Sequence, residues 1–116
     1  MKTILMADDD KFFLQVVSRF LGQAGYQVRT ARNGQEALDA VAAERPDVLV
    51  LDVALPLITG DEVARRLGDG RPPVLFLSGR DLDRTAGLEG PGFRFLTKPA
   101  DLDDVLANVQ ALLTGS

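Results

Sequence analysis

The 116-residue sequence contains no cysteine, no histidine and no tryptophan, and a single tyrosine. Without cysteine there is no disulfide framework, no thiol nucleophile and no thiolate metal site, a composition compatible with a cytoplasmic home. Without histidine there is no imidazole general base, no histidine-ligated zinc and no internal phosphohistidine. Basic residues are the minority, 13 Lys and Arg against 17 Asp and Glu, giving a net charge of −4 and a pI near 4.7. That balance argues against direct nucleic-acid binding, which needs a basic face. No apolar run approaches the roughly 20 residues that a membrane span requires. Met1-Lys2-Thr3 leads at once into a strand pattern, so no signal peptide is expected ahead of the fold. What is present is a 46% hydrophobic composition, enough for a core. The length fits one domain over 1–116 and leaves no room for a second.

Four acidic side chains end two apolar runs. Ile4-Leu5-Met6-Ala7 runs into Asp8-Asp9-Asp10, and Val48-Leu49-Val50-Leu51 runs into Asp52. Apolar runs of this length, each followed by a helical pattern, read as buried parallel strands delivering carboxylates to one edge of a sheet. Converging carboxylates repel and raise one another's pKa, and a hard divalent cation such as Mg²⁺ is the usual remedy.

Five strand-then-helix units follow one another. The strands read as Thr3 to Ala7, Gln27 to Ala31, Val48 to Asp52, Val74 to Ser78 and Phe93 to Thr97. The first helix opens near Asp10 or Lys11, carries Phe13, Val16, Val17, Phe20, Leu21 and Ala24 at helical spacing, and closes at Gly25. The second follows Asn33-Gly34, with Ala37, Leu38, Val41 and Ala42 on one face, and stops before Pro46. Pro56 to Gly60 form a loop, and a short helix runs from Asp61 to Leu67. A fourth helix is expected around Leu82 to Leu88, in a stretch crowded by Gly87, Gly90, Pro91 and Gly92. The last helix shows Leu102, Val105, Leu106, Val109, Leu112 and Leu113, with Asp101, Asp103 and Asp104 suited to its N-terminus. Alternating β and α elements imply a parallel sheet with helices on both faces. The continuously apolar first, third and fourth strands belong at its centre. Right-handed crossovers then favour the order 2-1-3-4-5, the flavodoxin-like doubly wound sheet, whose switch point lies between strands one and three. Asp8, Asp9 and Asp52 fall there.

Each candidate has an ordinary alternative. Asp52 could cap a loop, but it faces Asp8-Asp9 at the matching end of the neighbouring strand. Asp10 reads as the N-cap of the first helix. Lys98 could be a surface lysine, yet it ends an otherwise apolar strand on the acidic edge, where an ammonium could pair with carboxylates and with a phosphoryl group. Ser78, followed by Gly79, is a turn serine or a hydroxyl donor to a phosphoryl oxygen.

Leu5-Met6-Ala7-Asp8-Asp9-Asp10, Asp52 with Pro56 four residues on and Gly60 eight on, Ser78-Gly79 and Lys98-Pro99 together resemble the receiver domain of bacterial two-component response regulators, over Thr3 to about Leu113. The resemblance implies that Asp52 accepts a phosphoryl group from the phosphohistidine of a sensor histidine kinase or a histidine phosphotransfer protein, or from a small donor such as acetyl phosphate. It implies that Asp9, Asp52 and the backbone carbonyl of Ala54 ligate Mg²⁺ or Mn²⁺, with Asp8 acting through metal-bound water. Ser78 and Lys98 would bind phosphoryl oxygens, Phe95 would be the rotating aromatic switch, and the Lys98-Pro99 bond would be cis. Such a domain catalyses only its own phosphorylation and dephosphorylation.

Two other readings share part of the pattern. A haloacid-dehalogenase-like phosphatase also uses a strand-end aspartate and Mg²⁺, but it needs a second acid where this chain has Ala54. A receiver-like interaction module that no longer takes phosphate is the other. Thr59 stands where many receivers have an acid, and the stretch between Ser78 and Lys98 is short and glycine-rich. Arg80 is expected at the pocket mouth, where it would shield an aspartyl phosphate from water.

Overall fold

The computed structural model describes all residues except Arg80, Asp81 and Ser116, together with the side chain of Leu82. Five parallel strands, β1 (Thr3–Ala7), β2 (Gln27–Ala31), β3 (Val48–Asp52), β4 (Val74–Ser78) and β5 (Phe93–Thr97), form one sheet in the order β2-β1-β3-β4-β5. The helices α1 (Lys11–Gln23), α2 (Gly34–Ala43), α3 (Gly60–Leu67) and α4 (Leu102–Leu113) cover both faces. The doubly wound order and all five strand ranges match the sequence reading.

Successive residues of a strand point to opposite faces, so a strand covered on both sides must be apolar throughout. Ile4, Met6, Val48, Val50, Leu75 and Leu77 pack on Leu14, Val17 and Leu21 of α1 and on Val105, Val109 and Leu112 of α4. Their neighbours Leu5, Leu49, Leu51, Val74 and Phe76 form the other layer with Ala37 of α2 and with Val63 and Ala64 of α3. Each large side chain buried this way contributes about 1.5–3 kcal/mol, which fixes the register. That register brings the carboxyl ends of the strands level. Ala7 pairs with Leu51, so Asp8 and Asp52 leave the sheet side by side. Asp52 pairs with Leu77 and Ser78 with Thr97, so Ser78 and Lys98 emerge on the same edge.

The helix starts are set by capping. Asp10 accepts the Phe13 N–H at 3.1 Å, Asn33 accepts that of Glu36 at 2.8 Å, and Asp101 accepts that of Asp103 at 3.1 Å. The first helix closes through Gly25, at φ 102°, as expected. The third begins at Gly60, one residue earlier than the pattern suggested.

The helix expected over Leu82 to Leu88 does not form. The chain makes one 3₁₀ turn, Leu82–Thr85, and then passes through Gly87, Gly90 and Gly92, all at positive φ. A helix needs more residues than this to repay its nucleation, and left-handed glycines end it. Two other contacts hold the segment. Leu88 is buried in the core, and the Arg65 guanidinium donates to the carbonyls of Arg84 at 2.6 Å and Ala86 at 3.1 Å.

Candidate functional site

Asp8, Asp9 and Asp52 meet at the switch point between β1 and β3, each offering a carboxylate oxygen within 4.8 Å of the others. Asp8 is fully buried and Asp52 nearly so, whereas Asp9 is exposed. The buried pair is organised by its own backbone: Asp8 Oδ1 accepts the Asp10 N–H at 2.9 Å and Asp52 Oδ1 accepts the Ala54 N–H at 3.1 Å. Ala54 thus sits at the pocket, at the start of the loop that leads to α3.

Lys98 closes the other side. Its backbone N–H donates to the Ser78 carbonyl at 2.8 Å. Its ammonium donates to Asp8 Oδ2 at 2.7 Å and to Asp52 Oδ2 at 3.2 Å. Burial raises the Asp8 pKa; the hydrogen bonds from Lys98 and from the Asp10 N–H offset that only in part. For Lys98, burial pulls the pKa down, but the hydrogen bond to Asp8 and the charges of Asp52 and Asp8 prevail and hold it above its ordinary value. The Lys98-Pro99 bond is cis, as expected. The ammonium also stands 5.1 Å from the centroid of the Phe13 ring.

Ser78 is buried at the end of β4, on the edge where the acids lie. Phe95, in β5, is 37% exposed and stacks on Phe76 with centroids 5.7 Å apart. Asp10 keeps to helix capping, as its sequence position suggested. The role given to Arg80 falls outside the described residues. Phe13 was missed as a neighbour of the site, because its helical spacing marks it as core and nothing local shows that Lys98 reaches it. Gly34 was noted only as a helix opening; its N–H donates to the Pro56 carbonyl at 3.1 Å and pins the loop after Asp52.

The donor set is oxygen alone, three carboxylates against one ammonium, which fits a hard divalent cation and no thiophilic or imidazole-seeking metal. No helix among the described residues is long and apolar enough to cross a membrane.

A doubly wound α/β sheet with three aspartates at its switch point and a lysine ammonium reaching them is a fold that binds its ligand at the carboxyl ends of the strands, with donors suited to a hard cation and an anionic group. Comparison with known proteins narrows it. The family described as response regulator receiver domain matches residues 4–110, and the chain belongs to that family. Response regulator MprA of Mycobacterium tuberculosis is 45% identical over 114 residues, which cover 95% of this chain and 50% of that protein. The MprA of Mycolicibacterium vanbaalenii is 44% identical over 115 residues, 95% of this chain and 49% of that one. The chain therefore spans about half the length of these curated relatives. Among solved structures, the chemotaxis response regulator CheY4 of Vibrio cholerae superposes with a TM-score of 0.86 at 30% identity, over 97% of this chain and 99% of its own. The receiver domain of a signal transduction histidine kinase from Syntrophus aciditrophicus does so with a TM-score of 0.86 at 30% identity, over 99% and 92%. The chain is thus a phosphoacceptor signalling domain of the two-component type. Receiver domains bind Mg²⁺ at an acidic pocket, and a cluster of three aspartates stands at the corresponding edge of this sheet.

Proposed function

We propose that Asp52 is the phosphoacceptor and that its phosphorylation, by the phosphohistidine of a cytoplasmic sensor kinase or phosphotransfer protein, switches a protein-binding surface. The observation that carries this reading is the Lys98 ammonium, which joins Asp8 and Asp52 from a strand end 90 and 46 residues away in sequence.

An Asp52 carboxylate oxygen attacks phosphorus in line as the P–N bond to the donor breaks and the imidazole leaves with the bonding electron pair. A carboxylate is a weak nucleophile, so the site acts by alignment and by neutralising the phosphoryl oxygens. The Ala54 N–H fixes one Asp52 oxygen, leaving the other, on the Lys98 side, to attack. Lys98 would then pair with the transferred group, and the Ser78 hydroxyl would donate to another of its oxygens. Asp9, Asp52 and the Ala54 carbonyl would hold Mg²⁺ or Mn²⁺, with Asp8 in an outer supporting role. The ion, when bound, supplies positive charge against the phosphoryl oxygens.

The same residues govern loss of the group to water, so the only reactions catalysed are the domain's own. Phosphorylation adds about −1.5 to −2 charge. As Ser78 moves toward the new oxygens, space opens for Phe95, which now stands partly outside on Phe76, to turn inward. Beryllium fluoride with Mg²⁺ mimics the phosphoryl group and tests the switch by NMR. Shifts at Asp52, Ser78 and Phe95 are expected; their absence, or their persistence in Asp52→Asn, would defeat the reading.

A further inference from the structure

We infer that Phe13 is a positioning residue of this site, its ring holding the Lys98 ammonium between Asp8 and Asp52; the catalytic part of this rests on Asp52 being the phosphoacceptor. The ammonium has three N–H donors, and two are engaged by Asp8 at 2.7 Å and Asp52 at 3.2 Å. Its side chain remains 27% exposed, so the two carboxylates do not fully enclose the flexible four-carbon stem. Nζ also stands over the Phe13 ring, 5.1 Å from its centroid. This is within the ~6 Å range at which the ring quadrupole attracts a cation.

The backbone that carries the ring is tied to the acidic site. The Phe13 N–H donates to Asp10 Oδ1 at 3.1 Å, and the Asp10 N–H donates to Asp8 Oδ1 at 2.9 Å. Lys98 returns to Asp8 Oδ2 at 2.7 Å. The contacts form a closed circuit, Asp8 to Asp10 to Phe13 to Lys98 and back to Asp8. The cap that starts α1 thus joins the Phe13 backbone to the Asp8 carboxylate. Partial burial of Phe13 against the α1–α4 layer anchors the ring from behind, whereas its neighbour Phe12 is exposed and takes no part.

The test separates ring electrostatics from bulk. Phe13→Leu keeps an apolar side chain and removes the ring, Phe13→Tyr keeps the ring, and phenylalanines of increasing fluorine content weaken the ring face with little change of shape. Initial rates of phosphorylation by acetyl phosphate with Mg²⁺ are measured for each, together with thermal midpoints and the order of the Lys98 ammonium from ¹⁵N relaxation. The expected result is a stepwise fall in rate with fluorination at constant thermal midpoint, about 3- to 10-fold in Phe13→Leu, and near wild-type rate in Phe13→Tyr. Ammonium order falls in parallel. Rates and ammonium order indifferent to fluorination, and equal in the Leu and Tyr variants, would overturn the inference. If the wild-type chain takes no phosphoryl group, the phosphoacceptor reading fails on its own. Ammonium order then decides the placement of Lys98: looser in Phe13→Leu upholds it, unchanged overturns it.

Discussion

The Lys98 ammonium lies nearer Asp8, at 2.7 Å, than Asp52, at 3.2 Å. It is chiefly the counter-ion of Asp8, whose carboxylate is fully buried. Removing it strands that charge. Lys98→Met is expected to cost about 1–3 kcal/mol, less than a fully buried pair would, because the ammonium keeps solvent contact. The double variant Asp8→Asn/Lys98→Met should recover most of the loss. Urea midpoints for the four corners of the cycle measure the coupling; additive effects would show that the two groups do not depend on each other.

Two carboxylates should give opposite pH signatures. Burial raises the Asp8 pKa above its ordinary 3.8, so the folded state binds that proton more tightly than the unfolded one. The stability so gained is complete below 3.8 and is lost as pH rises through the folded value. Asp8→Asn should therefore be more stable than wild type at neutral pH in chelator, and the gap should close on acidification. Asp47 behaves in the reverse sense. Its carboxylate accepts the Thr3 N–H at 2.8 Å and Oγ1–H at 3.2 Å, and the hydrogen bond from that backbone N–H lowers its pKa below 3.8. The stabilisation holds above 3.8 and is lost as pH falls through the lower folded value. Asp47→Asn should cost about 0.5–1 kcal/mol near neutrality, with the difference fading in acid. Denaturation at a series of pH values checks both.

Glycine substitutions should differ sharply by position. A Cβ on Gly34 would lie 1.9 Å from the Ile58 carbonyl oxygen, and one on Gly60 would lie 2.3 Å from that of Asp52. Both contacts involve backbone beside the site. Gly34→Ala and Gly60→Ala should each destabilise by about 1–3 kcal/mol, and Gly60→Ala should also displace Asp52 and slow its phosphorylation. Gly22 meets nothing within 4 Å, and in α1 an alanine there should stabilise by about 0.5–1 kcal/mol.

The segment that replaces a fourth helix depends on Arg65. Its guanidinium pairs with Asp61 at 2.5 Å and bridges to the Arg84 and Ala86 carbonyls. Arg65→Ala should speed hydrogen exchange at the Ala86 and Leu88 amides, which donate to Asp83 and Thr85 carbonyls, while leaving β4 protected. Exchange unchanged at those amides would mean that Leu88 burial alone holds the loop.

The strands, their order and the acidic edge were legible because buried parallel strands impose uninterrupted apolar runs that end abruptly in Asp8, Asp52 and Ser78. The caps Asp10, Asn33 and Asp101 were legible for a similarly local reason. Helix faces were read less well. Periodicity put Val16, Ala24 and Ala42 inward, yet all three are exposed, and Leu14 rather than Val16 enters the core. One residue of phase is lost easily where Phe12, Phe13 and Leu14 are consecutive. The Leu82 to Leu88 helix failed because apolar spacing says nothing about glycines held at positive φ. The Phe13–Lys98 and Arg65–Ala86 contacts were invisible because each joins elements distant in sequence and leaves no local mark.

The phosphoacceptor assignment is tested most directly by incubating the chain with acetyl phosphate and Mg²⁺ and determining its intact mass. The wild type should gain a single phosphoryl group, absent when Mg²⁺ is chelated and absent in Asp52→Asn. An unmodified wild type, or an Asp52→Asn variant modified to the same extent, would contradict the account.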